Sequence, residues 1–274
     1  MIKNIYKLED VEGFVNSFLN DRCFSDPMRS DEEQVEQNLK KLISTPDRHD
    51  TFGVYENGEI IGLFSFMKLP DDRYVEMIVG LSREKSAYDE MIKYLTEHFS
   101  GYSADFVYNS RNYLMNEALH NSGARFDTEQ NKMVLRKPVI RHSDAIVVPY
   151  SDDFKAGYMA VHNDIDRYWT AEKVLSATDR FRILLAICDG EVVGYIDITH
   201  CFDENEPFDI FVAEPYRRKG FGRALLSRAI ELNEPKKMML TVDVDNVPAI
   251  NLYKSMGFEI DELGGSITAH LKIK

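Results

Sequence analysis

A chain of 274 residues with 33 basic and 46 acidic side chains has a formal charge of −13. The acid excess lacks the basic face that a nucleic-acid partner requires, and 44% hydrophobic with 29% charged residues excludes a disordered chain. Cys23, Cys188 and Cys201 are too scattered for a disulfide framework or a zinc site. Met1 to Glu12 has no signal-peptide core, and no apolar run approaches the ~20 residues of a membrane span. The expectation is a cytoplasmic protein with no metal and no membrane partner.

In chain order, the first clear element is a hairpin. Val54-Tyr55-Glu56-Asn57-Gly58-Glu59-Ile60-Ile61-Gly62 places Asn57-Gly58 at the two positive-φ positions of a type I′ turn, between β-branched flanks. A strand follows at Tyr74–Leu81. Tyr88, Met91, Ile92, Leu95 and Phe99 then fall at helical spacing. Another strand at Phe106–Tyr108, a helix, and a glycine turn into Gly123–Phe126 close the first half. The polar stretch from Lys137-Pro138 to Asp144 reads as the boundary.

The second half repeats this order. Ala186-Ile187-Cys188-Asp189-Gly190-Glu191-Val192-Val193-Gly194 matches the first hairpin at an offset of 132 residues. A strand at Phe208–Ala213 follows, then Phe221, Leu225, Ala229 and Leu232 at helical spacing, a strand at Met238–Val242, a helix, and a turn into Gly257–Ile260. The expected fold is mixed α/β, from a duplication with domains at 1–140 and 141–274, each a mixed central sheet flanked by helices. The halves share the charge, −7 and −6, so neither is a charged tail.

Between a strand and a helix in the second half lies Arg217-Arg218-Lys219-Gly220-Phe221-Gly222-Arg223-Ala224. Glycines permit close backbone approach, and a helix start presents free N–H groups and a positive dipole end. This is an anion cradle. It has neither the Walker spacing nor a third glycine at Leu225 for the dinucleotide fingerprint. Downstream, Asn246 caps a helix opened by Pro248.

These residues carry a resemblance. Arg217-x-x-Gly220-x-Gly222 is similar to the [RQ]-x-x-G-x-[GA] signature of the GNAT acetyltransferase superfamily. Asn246 to Phe258 matches its N-x-x-A-x-x-x-Y-x-x-x-G-F pattern at every fixed position. The resemblance covers roughly residues 145–274. It implies acetyl-CoA as co-substrate, with Arg217, Arg218, Lys219, Gly220, Phe221, Gly222 and Arg223 around its pyrophosphate. The strand carrying Phe211 and Val212 would pair with the pantetheine arm, and Asn246 and Tyr253 would lie near the cofactor. Tyr253 takes the place of the acid that protonates the leaving thiolate. Glu206 and Asp209 are candidate bases, with Asp197 as a third option. The implied reaction is direct acetyl transfer to a primary amine on a small molecule or peptide. A CoA-binding sensor without turnover is the alternative.

Cys201 has no His/Asp arrangement to make it a nucleophile. Tyr168-Trp169 lies where the family shapes its acceptor pocket. In the first half, Ser82 to Tyr88 has no glycine, Glu84 would oppose a phosphate, and counting seven from Asn109 reaches Asn116 rather than a tyrosine. The first half therefore reads as a degenerate copy without a CoA site. The sequence leaves the oligomeric state open.

Overall fold

The computed structural model describes residues 1–18, 21, 23–24, 39–140, 144–165 and 169–274. It divides into two compact units, Met1–Asn131 with Asp261–Lys274, and Lys132–Ile260.

The first unit contains β1 (Ile2–Asn4), α1 (Glu12–Asn16), β2 (His49–Glu56), β3 (Glu59–Leu69) and β4 (Tyr74–Ser82). It continues with α2 (Lys85–His98), β5 (Ser103–Asn109), α3 (Tyr113–Asn121) and β6 (Arg125–Phe126). The strand order is β1-β2-β3-β4-β5, antiparallel except for the parallel β4–β5 pair, which a helical crossover requires. Next to β5 lies a strand from the far end of the chain, Ser266–Lys272, which pairs antiparallel from Ser266↔Asn109 to Lys272↔Ser103. Phe52, Phe64, Phe66, Tyr88, Met91, Leu95 and Phe106 form the core under α2, and Ala269, Leu271 and Ile273 belong to it.

The second unit takes Lys132–Leu135 of β7 (Gln130–Leu135), then β8 (Ile146–Pro149), α4 (Lys155–Val161) and α5 (Ala171–Ser176). These precede β9 (Phe181–Cys188), β10 (Glu191–Thr199), β11 (Glu204–Asn205), β12 (Pro207–Val212), α6 (Phe221–Asn233), β13 (Lys237–Asp243), α7 (Val247–Ser255) and β14 (Phe258–Ile260). Ser266–Lys272 is β15 in chain order. One ladder runs β8-β9-β10-β12. In the other, β13 lies between β7 and β11, and β14 pairs with β7. β12 and β13 thus belong to different ladders. α6 packs Leu225, Leu226, Ala229 and Ile230 onto Leu184, Ile196 and Leu240.

The two hairpins are alike in backbone detail. Asn57 and Gly58 have φ of 52° and 90°, and Asp189 and Gly190 have 52° and 83°, as the type I′ reading requires. Each hairpin is bulged by one residue beyond the turn, Ile61 in the first and Val193 in the second, again 132 residues apart.

The expected division at 140/141 is corrected in one respect. The last strand of each half leaves its own sequence half: β15 completes the first unit, and residues 132–135 of β7 complete the second. Among the described residues no helix is long and apolar enough to cross a membrane.

Candidate active site

A groove of about 770 Å³ opens in the second unit. Ile210, Phe211 and Val212 of β12 form one wall, and Asn246, Pro248, Ala249, Asn251, Leu252, Tyr253 and Ser255 of α7 form the other. Tyr216, Arg217, Arg218, Gly220, Gly222 and Arg223 close one end. The groove exists because β12 and β13 part into separate ladders, so the elements that follow them, α6 and α7, leave a cleft at the strand ends.

α6 begins at Gly220, whose φ of 94° lies in the left-handed region. Arg218 also adopts positive φ, 64°. Arg217 donates from Nε to the Val212 carbonyl at 2.9 Å, tying the loop to β12, and its guanidinium lies 5.6 Å from the centre of the Phe211 ring. A Cβ built on Gly222 meets only Leu252 and Val212, at 3.6 and 3.8 Å, one on each wall. The first N–H groups of a helix have no acceptor within it, so the start of α6 offers donors at the end of this cleft. The residues present fit a pyrophosphate group there.

The remaining members of the expected set fall in three places. Phe221 is buried in the core, its ring 6.1 Å from Tyr216, and the Lys219 ammonium lies 5.4 Å from the Tyr216 ring centre; neither side chain lines the groove. Asn246 both lines the groove and caps α7, accepting from Ala249 N at 3.2 Å. Tyr253 lines the groove with its ring 6% exposed. Burial, and then the charges of Asp209 and Glu206, push its phenol up to about 12.

Glu206 immediately precedes β12. Burial pushes its carboxyl up to about 7, against hydrogen bonds from the Thr241 backbone and side chain and the charges of Lys132 and Arg180. Asp209 is half-buried and accepts from the Tyr195 hydroxyl at 2.6 Å. Asp197, opposite Asp209 across the β10–β12 ladder, is fully buried. Its carboxylate accepts from Tyr158 Oη at 3.0 and 3.1 Å and pairs with His162 Nε2 at 3.1 Å. His162 Nδ1 contacts Asp164 at 2.7 Å, and its ring stacks on Tyr195 at 4.7 Å. Burial raises the Asp197 carboxyl. His162 is also raised, because the pull of Asp197 and Asp164 outweighs a burial effect in the opposite sense. His162, Asp197 and Asp209 each offer a ligand atom within 4.8 Å of the others. Their hydrogen bonds to one another and to Tyr158 and Tyr195 already use these atoms.

Sequence reading missed this network and Lys132. The Tyr158/His162 spacing of one helical turn was the available signal, and it does not differ from that of core residues. Trp169 packs edge-on against Phe181 at 5.0 Å, with Arg180 over its ring, while Tyr168 lies outside the described residues. Cys201 is exposed.

In the first unit, α2 follows β4 as α6 follows β12, and its first turns carry Tyr88. Tyr88 is fully buried and donates to the carbonyl of Ser82, at the end of β4, at 2.8 Å. It accepts at 2.9 Å from Asn112, which caps α3. Asn116 accepts from Tyr108 Oη at 2.6 Å and donates to the Ser110 carbonyl.

Residues 146–258 match the acetyltransferase (GNAT) family model. An L-amino acid N-acetyltransferase, AaaT, of Escherichia coli K12 is 29% identical over 147 residues, 49% of this chain and 87% of that protein. The chain spans about half the length of several further curated N-acetyltransferases that it matches. Among solved structures, a GCN5-related N-acetyltransferase from Sphaerobacter thermophilus superposes with a TM-score of 0.73 at 14% identity, covering 100% of this chain and 96% of that one. A tandem GNAT protein from the clavulanic acid biosynthesis pathway gives 0.63 at 11%, covering 100% and 99%. By fold the chain is a mixed α/β protein, with mixed sheets flanked by helices as in these two structures. Over residues 146–258 it is similar to the GNAT acetyltransferases, and the chain is an N-acetyltransferase, an enzyme that moves an acyl group to an amine.

Proposed function

We propose that the second unit is the working one, an N-acetyltransferase that takes acetyl-CoA as donor and a primary amine, on a small molecule or a peptide, as acceptor. The observation that carries this reading is the groove with a glycine-started helix at one end and Tyr253 on its wall. The donor, when bound, supplies an activated acetyl thioester. Arg218, Gly220, Gly222 and the first amides of α6 hold its pyrophosphate, and Phe211 and Val212 present strand edge to its arm. An alkylammonium near pKa ~10.4 must lose a proton before it attacks. Glu206, held at about 7, is ionised over half its population above neutrality and accepts that proton. Tyr253, pushed up to about 12, keeps its proton throughout this range and holds it at Oη for the departing sulfur.

The first unit serves as a degenerate copy in this reading: Ser82 to Tyr88 has no glycine, and Tyr88 is buried near the start of α2, bonded to Ser82 and Asn112. Calorimetric titration with acetyl-CoA, paired with thiol release over a panel of primary amines, tests the reading. The wild-type chain binds one equivalent and releases thiol, and Gly222→Asp, which adds a carboxylate between Val212 and Leu252, loses both. Binding without release for every amine would establish a sensor instead. Two equivalents bound would overturn the degenerate reading of the first unit.

A further inference from the structure

Arg180 is a cation to which the chemistry above gives no role of its own. Its guanidinium lies 5.0 Å from the ring centre of Trp169 and 5.4 Å from those of Phe181 and Phe202. Its Nε is buried without a hydrogen-bond partner, and among the described residues no carboxylate or carbonyl meets the guanidinium. A buried donor left unpaired is costly, and a guanidinium is a rigid fork that matches a carboxylate. Its place in the sheet is fixed by backbone pairing. The Arg180 carbonyl accepts from His200 N at 3.0 Å, and Phe181 lies opposite Thr199 in the β9–β10 ladder. Glu206 lies on the other side of Thr199. Thr199 N donates to the Glu206 carbonyl at 2.9 Å, and Glu206 N donates to Thr199 Oγ1 at 2.7 Å. The Phe181 ring also meets that of Phe208, on β12, at 5.5 Å. Arg180, Thr199 and Glu206 thus lie together at one end of β9, β10 and β12.

That end is the one away from the anion cradle. Arg217 is tied to Val212 at the far end of β12, and the groove runs from there to Ile210 and Tyr253. With a pyrophosphate at the cradle, an acceptor comes from beyond Ile210, where Glu206 and Arg180 lie. Phe202 and Phe208 are 39% and 38% exposed, which leaves apolar surface open in the same place. One cation whose charge also reaches Glu206 balances a single negative charge, which favours a carboxylate over a phosphate dianion. We propose that Arg180 binds a carboxylate of the acceptor, so that the substrate class is a primary amine carrying a carboxylate on an apolar body. The guanidinium fork holds the carboxylate, the rings of Phe202 and Phe208 take the apolar part, and the amine is left toward the groove. This rests on the reading of the second unit as the working transferase.

Trp169 is the chain's single tryptophan and its ring lies against the guanidinium, so its fluorescence reports occupancy without turnover. The full chain, saturated with CoA, is titrated with leucine and with leucinamide, which differ in the carboxylate alone. Leucine is expected to change the emission saturably and to bind about 10- to 100-fold more tightly than leucinamide. Arg180→Met keeps an apolar stem on the rings and lowers the leucine affinity by the same factor, while calorimetry with acetyl-CoA shows that the variant is folded. Arg180→Lys keeps the charge without the fork, and shows a smaller loss if the Met variant does not fold. Thiol release from acetyl-CoA should favour leucine over leucinamide by the same factor, and the Arg180 variants should lose that preference through KM. The same preference for glycyl-leucine over glycyl-leucinamide, in place of the first pair, supports the inference with a peptide as the source of the carboxylate. Equal affinities within both pairs, or a carboxylate preference that Arg180→Met leaves intact, overturn it. Carboxylate-dependent binding with no thiol released by any amine leaves the site standing and overturns the transferase reading instead.

Discussion

Tyr253 and Glu206 place opposite demands on protons, and their surroundings meet both. Burial raises each group, but for a phenol this preserves the proton, while for a carboxyl it brings ionisation to about neutral pH. Tyr253→Phe removes the hydroxyl and leaves the ring in contact with Phe258, 6.0 Å away. Proton donation of this kind contributes on the order of 10²–10⁴-fold in other enzymes. The expected result is a fall in kcat of roughly 10²-fold, with acetyl-CoA affinity and the acid limb of the pH profile unchanged. Stopped-assay kinetics at several pH values check all three, and an unchanged kcat removes Tyr253 from the mechanism. Tyr253 was legible because its spacing from Asn246 and Gly257 is a sequence pattern. The partners of Lys132 and Glu206 were not, because Glu204 and Thr241 meet them only once the strands lie side by side.

At the scale of elements, the loop ahead of α6 and the joint between α4 and β10 differ in what a sequence can reveal. The loop is marked by its glycines, and Gly220 takes the left-handed conformation that starts α6, though Arg218 takes positive φ without being one. The joint is written in Tyr158, His162, Asp164, Tyr195 and Asp197, residue types that any surface could carry, and only burial turns them into a network. That network has a thermodynamic consequence. Both His162 and Asp197 are raised in the folded chain, so the folded state holds protons more tightly than the unfolded one. Stability from His162 is then fully present below its unfolded pKa of ~6.5 and is lost as pH rises through the higher folded value. Trp169 is the chain's single tryptophan and sits in the second unit, so its fluorescence reports unfolding there. His162→Phe keeps an aromatic face on Tyr195 and removes the charge. It should lower the Trp169 midpoint markedly at pH 6 and progressively less toward pH 9. A deficit independent of pH would mean that the ring, and not the proton, matters.

On the scale of the whole molecule, the two halves were legible as a repeat, but the division between the units was not. The Asn-Gly and Asp-Gly turns, the bulges at Ile61 and Val193 and the order of elements recur at one offset. What the pattern could not assign was the destination of the last strand of each half. Met133-Val134-Leu135 and Ile267-Thr268-Ala269-His270-Leu271 suit any sheet with a free antiparallel edge, and alternation does not say whose edge it is. The units therefore cannot be separated at residue 140. A fragment of residues 141–274 lacks Lys132–Leu135, which pairs Met133↔Ile260 and Leu135↔Phe258 and buries Met133 in the second core. It should show no cooperative Trp169 transition and no acetyl-CoA binding. Starting the fragment at residue 132 should restore both. The reciprocal truncation, residues 1–260, removes β15 with Ala269, Leu271 and Ile273 from the first core. Full burial of a side chain such as Leu or Ile contributes about 1.5–3 kcal/mol, and seven residues of ladder go as well, from Ser266 to Lys272. Hydrogen exchange followed by mass spectrometry should then show β5 and its neighbours losing protection, while α6 and β9 keep theirs. Protection lost equally in both units, or a cooperative transition in the 141–274 fragment, would refute the exchange of strands as the basis of the two units.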